Sequence, residues 1–371
     1  MYKGKIGLTI KEICSSFNVE GDYVSCEEVP TGNINSTFKV EYNKDGDLKH
    51  YIVQKINKNV FKQPEKVMDN IIRVTDYVRQ RIEAEGLPTR VFVLRAFTTR
   101  DTNLPYVIDD CGEYWRCYRF IKNSRTFDTC DNLEIIEQAG SAFGKFQKYL
   151  DGFDTNSLNI TISNFHNTIE RYKAFHDAIE KDSYNRVKKV KKQIQTILHF
   201  EEKACQLQKY LDEGKIKVRV AHNDTKFNNV SFDAESNQAL AVLDLDTVMP
   251  GAVAHDFGDA IRFIANTVIE DCPDISKVSL DVEKYEAFAK GFISEVRDML
   301  TEQEKQSLNL GVFVMTIELA VRFLSDYICG DKYFKTKYPG HNLDRANNQL
   351  ALAVDIDKKL PLLDEIIKKY F

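Results

Sequence analysis

Polar and apolar positions divide the chain into two stretches of different period. Up to about Ile121 the dominant pattern is alternation, as expected of strands with one buried face. It marks Tyr23–Val29, Ile34–Tyr42 and Tyr51–Ile56, then, after a helical stretch, Arg90–Phe97, Tyr106–Ile108 and Glu113–Ile121. Asp45-Gly46 between the second and third strands suits a two-residue hairpin turn. The intervening helix opens at Pro64, a tolerated first-turn position, and runs to about Glu83 with Val67, Ile71, Val74 and Val78 on one face. A short leading helix over Thr9–Phe17 is signalled by Thr9 and Glu12 in capping-box spacing.

Beyond Lys122 the period becomes helical: Leu133–Leu150, Ile162–Glu180, a Lys-rich segment Arg186–Leu211, Asp256–Thr267, Val282–Met299, Glu302–Cys329 and Leu343–Tyr370. One hairpin interrupts these helices, Val230–Asp233 and Ala239–Leu245, joined by the polar AESNQ. The predicted fold class is α+β. A small antiparallel β lobe with one main helix, residues 1–122, precedes a larger, mostly helical lobe, residues 123–371, with a hinge near Ile121–Arg125. No internal repeat or low-complexity tract is present.

The hairpin changes the picture, because its flanks carry chemistry. Asp224 follows His222 by two positions, Asn229 follows Asp224 by five, and Asp244 ends the next apolar run. This is the spacing of a phosphoryl-transfer loop. An antiparallel hairpin centred between Ser236 and Asn237 sets Asn229 opposite Asp244, two hard oxygen donors of the kind Mg²⁺ takes alongside phosphate. Asp224 is then the group that receives or orients a hydroxyl proton.

Composition narrows the partners. Lys and Arg number 51 against 56 Asp and Glu, a formal charge of −5, which gives no drive toward nucleic acid or an anionic membrane. The basic run Arg186, Lys188, Lys189, Lys191 and Lys192 lacks interleaved aromatics and is expected to be a solvated helix face. Eight scattered cysteines form no CxxC pair and suit free thiols in a reducing compartment. MYKGKIGLTI lacks the apolar core of a signal peptide, and the apolar run Val312–Ile317 stops at Glu318. The expectation is a cytoplasmic protein, monomer or weak homodimer, with no membrane or nucleic-acid partner.

The HxDxxxxN loop, the strand ending in Leu243-Asp244-Leu245-Asp246 and the two-lobe organisation resemble the protein-kinase-like fold, in its aminoglycoside phosphotransferase and choline kinase branch. Within it the chain is similar to the N-acetylhexosamine 1-kinases. The similar segments are TGNINSTFKV (31–40), YIVQKIN (51–57), YWRCYRFI (114–121), FHNTIERY (165–172), AHNDTKFNNV (221–230), VLDLDTVMPG (242–251), HDFGDAIRF (255–263) and VRFLSDYICGDKYF (321–334). The resemblance implies an ATP- and Mg²⁺-dependent kinase acting on the anomeric hydroxyl of an N-acetylated amino sugar such as GlcNAc or GalNAc.

On that footing Asp224 and Lys226 are the candidate catalytic residues, and Asn229, Asp244 and Asp246 the candidate metal ligands. Thr31, Gly32, Asn33 and Asn35 form the candidate phosphate-covering turn. The third strand departs from the family pattern: Gln54 stands where a phosphate-pairing basic residue is expected, with Lys55 beside it on the other face, and the contact is open between them. The Pro64 helix also offers no inward Glu; Asn70 is its next polar candidate. Asp224, Arg322, Asp326 and Tyr333 are the candidate acceptor-binding residues, with His341 nearby. A salt-bridge ladder on a solvated stripe competes as the explanation of Glu318, Arg322 and Asp326. His222 is expected to brace the loop, Asp256 to hold it from a helix start, and Trp115 and Tyr118 to be core. Two other functions compete: a kinase for a different small alcohol (another sugar, an amino alcohol or an aminoglycoside), and a nucleotide-binding pseudokinase, which the unusual Gln54 motivates.

Overall fold

A computed structural model describes residues 9–30, 34–87 and 93–371. The chain separates into two compact units. The first comprises Met1–Ser124 with two later insertions, Asn156–Ile162 and Leu240–Met249; the second comprises Arg125–Thr155, Ser163–Ala239 and Pro250–Phe371.

The first unit is built on an antiparallel sheet in the order β1-β2-β3-β6-β4, with β5 also paired to β6. Its strands are β1 (Asp22–Val29), β2 (Ser36–Lys44), β3 (Asp47–Lys55), β4 (Ala96–Phe97), β5 (Val107–Ile108) and β6 (Tyr114–Arg119). Asp45 and Gly46 both take positive φ (55° and 92°) in the β2–β3 turn, as an Asp-Gly pair permits. The long strand expected over Arg90–Phe97 is a correction: only Ala96–Phe97 pairs, and residues 90–92 lie outside the described residues.

The sheet has two different faces because strand side chains alternate. One is packed by α1 (Ile10–Ser15), whose N-cap Thr9 forms the expected capping box with Glu12. Ile13, Cys14 and Phe17 meet Val40, Tyr42, Tyr51, Val53, Trp115 and Cys117 there. The other face meets α2 (Pro64–Ala84), which buries Val67, Met68, Ile71, Val74, Val78 and Ile82. Asn70 on α2 does not pair with a strand cation. Its Nδ2 donates to the carbonyls of Asn159 (2.8 Å) and Val248 (3.0 Å), and its Oδ1 accepts from Asn159 N, which ties both insertions to the unit.

In the second unit the expected helices form with modest shifts: Leu133–Tyr149, Thr168–Lys181, Val253–Ile264, Val282–Val296, Glu302–Ile328 and His341–Lys368. The helix expected from Ile162 begins only at Thr168, where Asn167 caps it. The Lys-rich segment is broken into Val187–Lys189, Lys191–His199, Glu201–Ala204 and Gln206–Asp212. The long apolar helix Glu302–Ile328 is a core element, with 83% of its most apolar window buried. Val253–Ile264 approaches it through two glycines. A Cβ on Gly258 would lie 2.3 Å from the Gly311 carbonyl oxygen, and one on Gly311 would lie 2.1 Å from that of Ala254.

Candidate active site

In the second unit the segment after strand Arg219–Ala221 is pinned before it reaches Asp224. Asn223 adopts a left-handed conformation (φ 63°), which asparagine tolerates. Gly251 packs so closely that an added Cβ would sit 2.8 Å from Ala221 Cβ and 3.2 Å from Asn223 Oδ1. Two carboxylates of the helix Val253–Ile264 collect the loop's amides. Asp256 accepts from His222 N and Asn223 N, both at 2.8 Å, and from Gln147 Nε2 at 2.6 Å, while its carbonyl accepts from Thr225 Oγ1. Asp259 accepts from Thr225 N at 3.0 Å and from the Arg262 guanidinium at 2.6 Å. Asp256 therefore holds the Asp224 loop, and His222 is fully buried between Phe143 and Phe146 with its Nδ1 receiving Asp224 N.

These two acids differ electrically. Burial pushes the Asp256 carboxyl above the usual carboxylate range, with His222, backbone amides and Gln147 opposing it. Burial acts the same way on Asp259, but Arg262 and Lys226 outweigh it and its carboxyl ends below the usual range. A charge is thus fixed beneath the loop, in contact with backbone.

Asp224 itself stays partly open, with a quarter of its side chain exposed. Its Oδ1 pairs with Lys226 Nζ at 2.8 Å, and Asn229 Nδ2 donates to its carbonyl (2.8 Å) and its Oδ2 (3.3 Å). Asp224 raises the Lys226 ammonium above its ordinary value against the opposing effect of burial. Asn229 closes the turn Phe227–Asn229 and leads into strand Val230–Asp233. That strand turns at Asn237 (φ 61°), with Asp233 N donating to the Gln238 carbonyl. After strand Ala239–Val242, Asp244 is exposed and left-handed (φ 55°), and a tight turn over Leu245–Thr247 buries Asp246.

The candidate acceptor residues lie on and after the long helix Glu302–Ile328. Its polar stripe is not solvated. Glu318 is buried, accepting from Thr168 Oγ1 (2.8 Å) and facing His166 Nδ1 (2.9 Å); the other nitrogen of His166 faces the Asn223 carbonyl at 3.1 Å. Burial alone would raise the Glu318 carboxyl, but His166, Arg322 and Arg171 bring it down to about 2. Arg322 lies between Phe165 and Phe334, 5.5 and 5.6 Å from their ring centres. Tyr333 is 69% exposed. Asp326 serves the backbone instead. It is buried and accepts from the amides of Lys332, Tyr333 and Phe334 and from Asn342 Nδ2, which shapes the loop that presents Tyr333. His341 is fully buried.

In the first unit the structure distinguishes Gln54 from Lys55. Gln54 is in register with Thr37 and Arg116 on the α2 face, whereas Lys55 is paired with Trp115 and lies 6.0 Å over its ring. Trp115 and Tyr118 are both buried. Arg116, which sequence reasoning missed, is only 2% exposed and makes a two-pronged ion pair with Asp246: Nη1 to Oδ1, and Nη2 to Oδ2 at 3.0 Å. Asn35 adds a donor to Asp246 Oδ2 at 2.8 Å. Thr31, Gly32 and Asn33 lie outside the described residues.

Gln147, His166, Asp259 and Arg262 were missed as well. Asp256, Asp259 and Arg262 recur at three-residue steps, a signal that one helix face is polar yet buried; Gln147 follows Phe143 by four on an otherwise apolar stripe.

Comparison with known proteins bears on the fold and the family. Among solved structures the fold is similar to a microcompartment-associated aminopropanol kinase (TM-score 0.57, 14% identity, covering 95% of this chain and 97% of that one). It is also similar to a spectinomycin phosphotransferase in complex with ADP and spectinomycin (0.54, 13%, 91% and 94%) and to an ethanolamine kinase from Plasmodium vivax (0.53, 12%, 88% and 82%). Residues 25–273 match the model of the phosphotransferase enzyme family, a span that takes in the paired strands bearing Gln54 and Arg116, the Asp224 loop and the helix beneath it, and the chain belongs to that family.

Proposed function

We propose that this chain transfers the γ-phosphoryl group of ATP to the anomeric hydroxyl of an N-acetylhexosamine, with Asp224 guiding the hydroxyl proton. The observation that carries the chemistry is Asp224 itself: a part-exposed carboxylate whose flanking amides are fixed, Asn223 N before it by Asp256 and Thr225 N after it by Asp259. Such a group is positioned in advance, and an anomeric hydroxyl, more acidic than an ordinary alcohol, needs only modest basicity to lose its proton. Lys226, resting on Asp224, is a cation able to exchange that carboxylate for a transferring phosphoryl group.

By their spacing in the sequence, Asn229 and Asp244, with Asp246, are the residues that would hold Mg²⁺. The donor set suits the ion, being carboxamide and carboxylate with no thiolate or imidazole, and Asn229 commits its amide nitrogen to Asp224, which leaves its oxygen as the donor. When bound, the ion would neutralise phosphate charge. Asn35 and its turn are the candidate cover for those phosphates.

The sugar reading rests on the family-like segments such as AHNDTKFNNV and VLDLDTVMPG and on the charge of the acceptor side. Arg322, flanked by two aromatic rings, and the neighbouring Arg171 favour hydroxyl and acetamide oxygens over a polycation. The solved neighbours named for aminopropanol, spectinomycin and ethanolamine supply the competing reading, an amine-bearing alcohol. An ATP-consumption screen over GlcNAc, GalNAc, galactose, choline and kanamycin separates the two. Turnover confined to the N-acetylated sugars is expected; turnover with choline or kanamycin alone would overturn the acceptor assignment, and none with any alcohol would favour a pseudokinase.

A further inference from the structure

Strand β3 carries no lysine or arginine on the face that holds Asp246. Gln54 occupies the position, and an uncharged amide can orient a neighbour but cannot neutralise a phosphate. The charge lies one strand away. Arg116 is Gln54's register partner on β6, and Gln54 holds it: Gln54 Oε1 accepts from Arg116 Nε at 3.0 Å, while Gln54 Nε2 donates to Thr37 Oγ1 at 3.0 Å on β2. Thr37, Gln54 and Arg116 form one row across three strands, and the row ends on Asp246, which Asn35 also grips.

This pair has the form of two charges kept for other partners. A buried Arg–carboxylate pair adds little net stability over an apolar packing of the same volume, so its presence calls for another reason. A guanidinium offers planar paired donors that match phosphate as well as carboxylate. Asp246 follows Asp244, a proposed metal ligand, by two residues.

We propose that Arg116 is the phosphate-binding cation of this chain, held in place by Gln54, and that Asp246 occupies its guanidinium until a nucleoside di- or triphosphate binds. Arg116 then exchanges a carboxylate for phosphate oxygens, and Asp246 is released toward the metal. The proposal rests on the phosphotransferase function above and assigns the cation that function lacks on the Gln54 face of β3.

The test is equilibrium binding of ADP and of adenosine, each with EDTA and with Mg²⁺, by calorimetry, on the full chain and three variants whose folding is checked by circular dichroism. Arg116→Met is expected to weaken ADP about 10- to 100-fold in both conditions, as loss of a charged hydrogen-bonding group implies, with adenosine unchanged. Gln54→Lys/Arg116→Met, which places a cation on the Gln54 face of β3, is expected to recover about tenfold. Asp246→Asn removes the competing anion, so it is expected to tighten metal-free ADP, a change of opposite sign that does not depend on Arg116→Met folding. Metal-free ADP affinity unaltered in both Arg116→Met and Asp246→Asn would overturn the proposal, as would equal losses for ADP and adenosine. If the wild-type chain binds no ADP in either condition, the phosphotransferase function fails, and this proposal with it.

Discussion

The carboxylates beneath the Asp224 loop and the carboxylate at the end of the Thr37–Gln54–Arg116 row are both buried, yet they are satisfied in different ways. Asp256 and Asp259 accept from backbone amides of His222, Asn223 and Thr225, groups that cannot rotate away without unfolding the loop. Asp246 is held by side chains, Arg116 and Asn35, groups that can take a new partner without the backbone unfolding. Backbone-anchored acids fix a catalytic group in advance; acids neutralised by side chains leave a site convertible. The chain uses the first device beside Asp224, where we place the proton transfer, and the second where we place phosphate and metal.

Replacing the part-exposed acid that the buried ones position should have the largest effect. Asp224→Asn keeps the shape and the Asn229 contact, so turnover should fall about 10²- to 10⁴-fold with an unchanged thermal transition. An unaltered rate would remove Asp224 from the chemistry. Next, Asp259→Asn leaves the buried Arg262 with Glu270 as its remaining acid partner and should cost about 3–5 kcal/mol in urea unfolding. A loss below about 1 kcal/mol would mean that the loop does not depend on this charge.

A smaller effect is expected from Gly311→Ala. The added methyl meets the Ala254 carbonyl, forces apart the helices that carry Asp256 and Glu318, and should destabilise by about 1–3 kcal/mol with a matching fall in activity. Stability unchanged in that variant would show that the backbone can yield there.

Acid sensitivity gives the mildest test. Burial, with His166 beside it, pushes His255 down to about 3, below its ordinary 6.5, so the unfolded chain binds more protons between those values. Glu318, brought from 4.5 down to about 2, acts the same way lower on the scale. Both contributions are complete above the unfolded values and are lost as pH falls through the folded ones. Denaturant midpoints should therefore decline from about pH 6.5 downward and more steeply below about 4.5. His255→Gln should flatten the upper part of that decline by about one proton. No change in slope would mean that His255 is charged in the folded state.

Much of the second unit was legible because helical periodicity is a local property. Leu133–Tyr149, Val282–Val296 and Glu302–Ile328 follow their apolar stripes to within a few residues. The Lys-rich segment reads as one continuous helix in the sequence, but it folds as the short turn Val187–Lys189 and three short helices that bury Ile194, Ile197, Ala204 and Leu207. The strand expected over Arg90–Phe97 is shorter in the structure for a different reason. Alternation shows that a segment can pair, and only a partner decides how much of it does.

By itself the sequence determined the strand-rich and helical halves, the Asp224–Asn229–Asp244 spacing and the roles of His222 and Asp256 as braces, since each depends on neighbours close in the chain or on a motif. The tertiary structure alone decided which face of β3 carries Gln54, that Asp326 serves a loop, that Asp259 and His166 contact the segment around Asp224, and that Arg116 meets Asp246 across 130 positions. Those are pairings of charge and register between distant segments. Their partners are chosen by burial, where an unpaired charge is too costly to leave, and burial is a property of the folded chain rather than of any stretch of it.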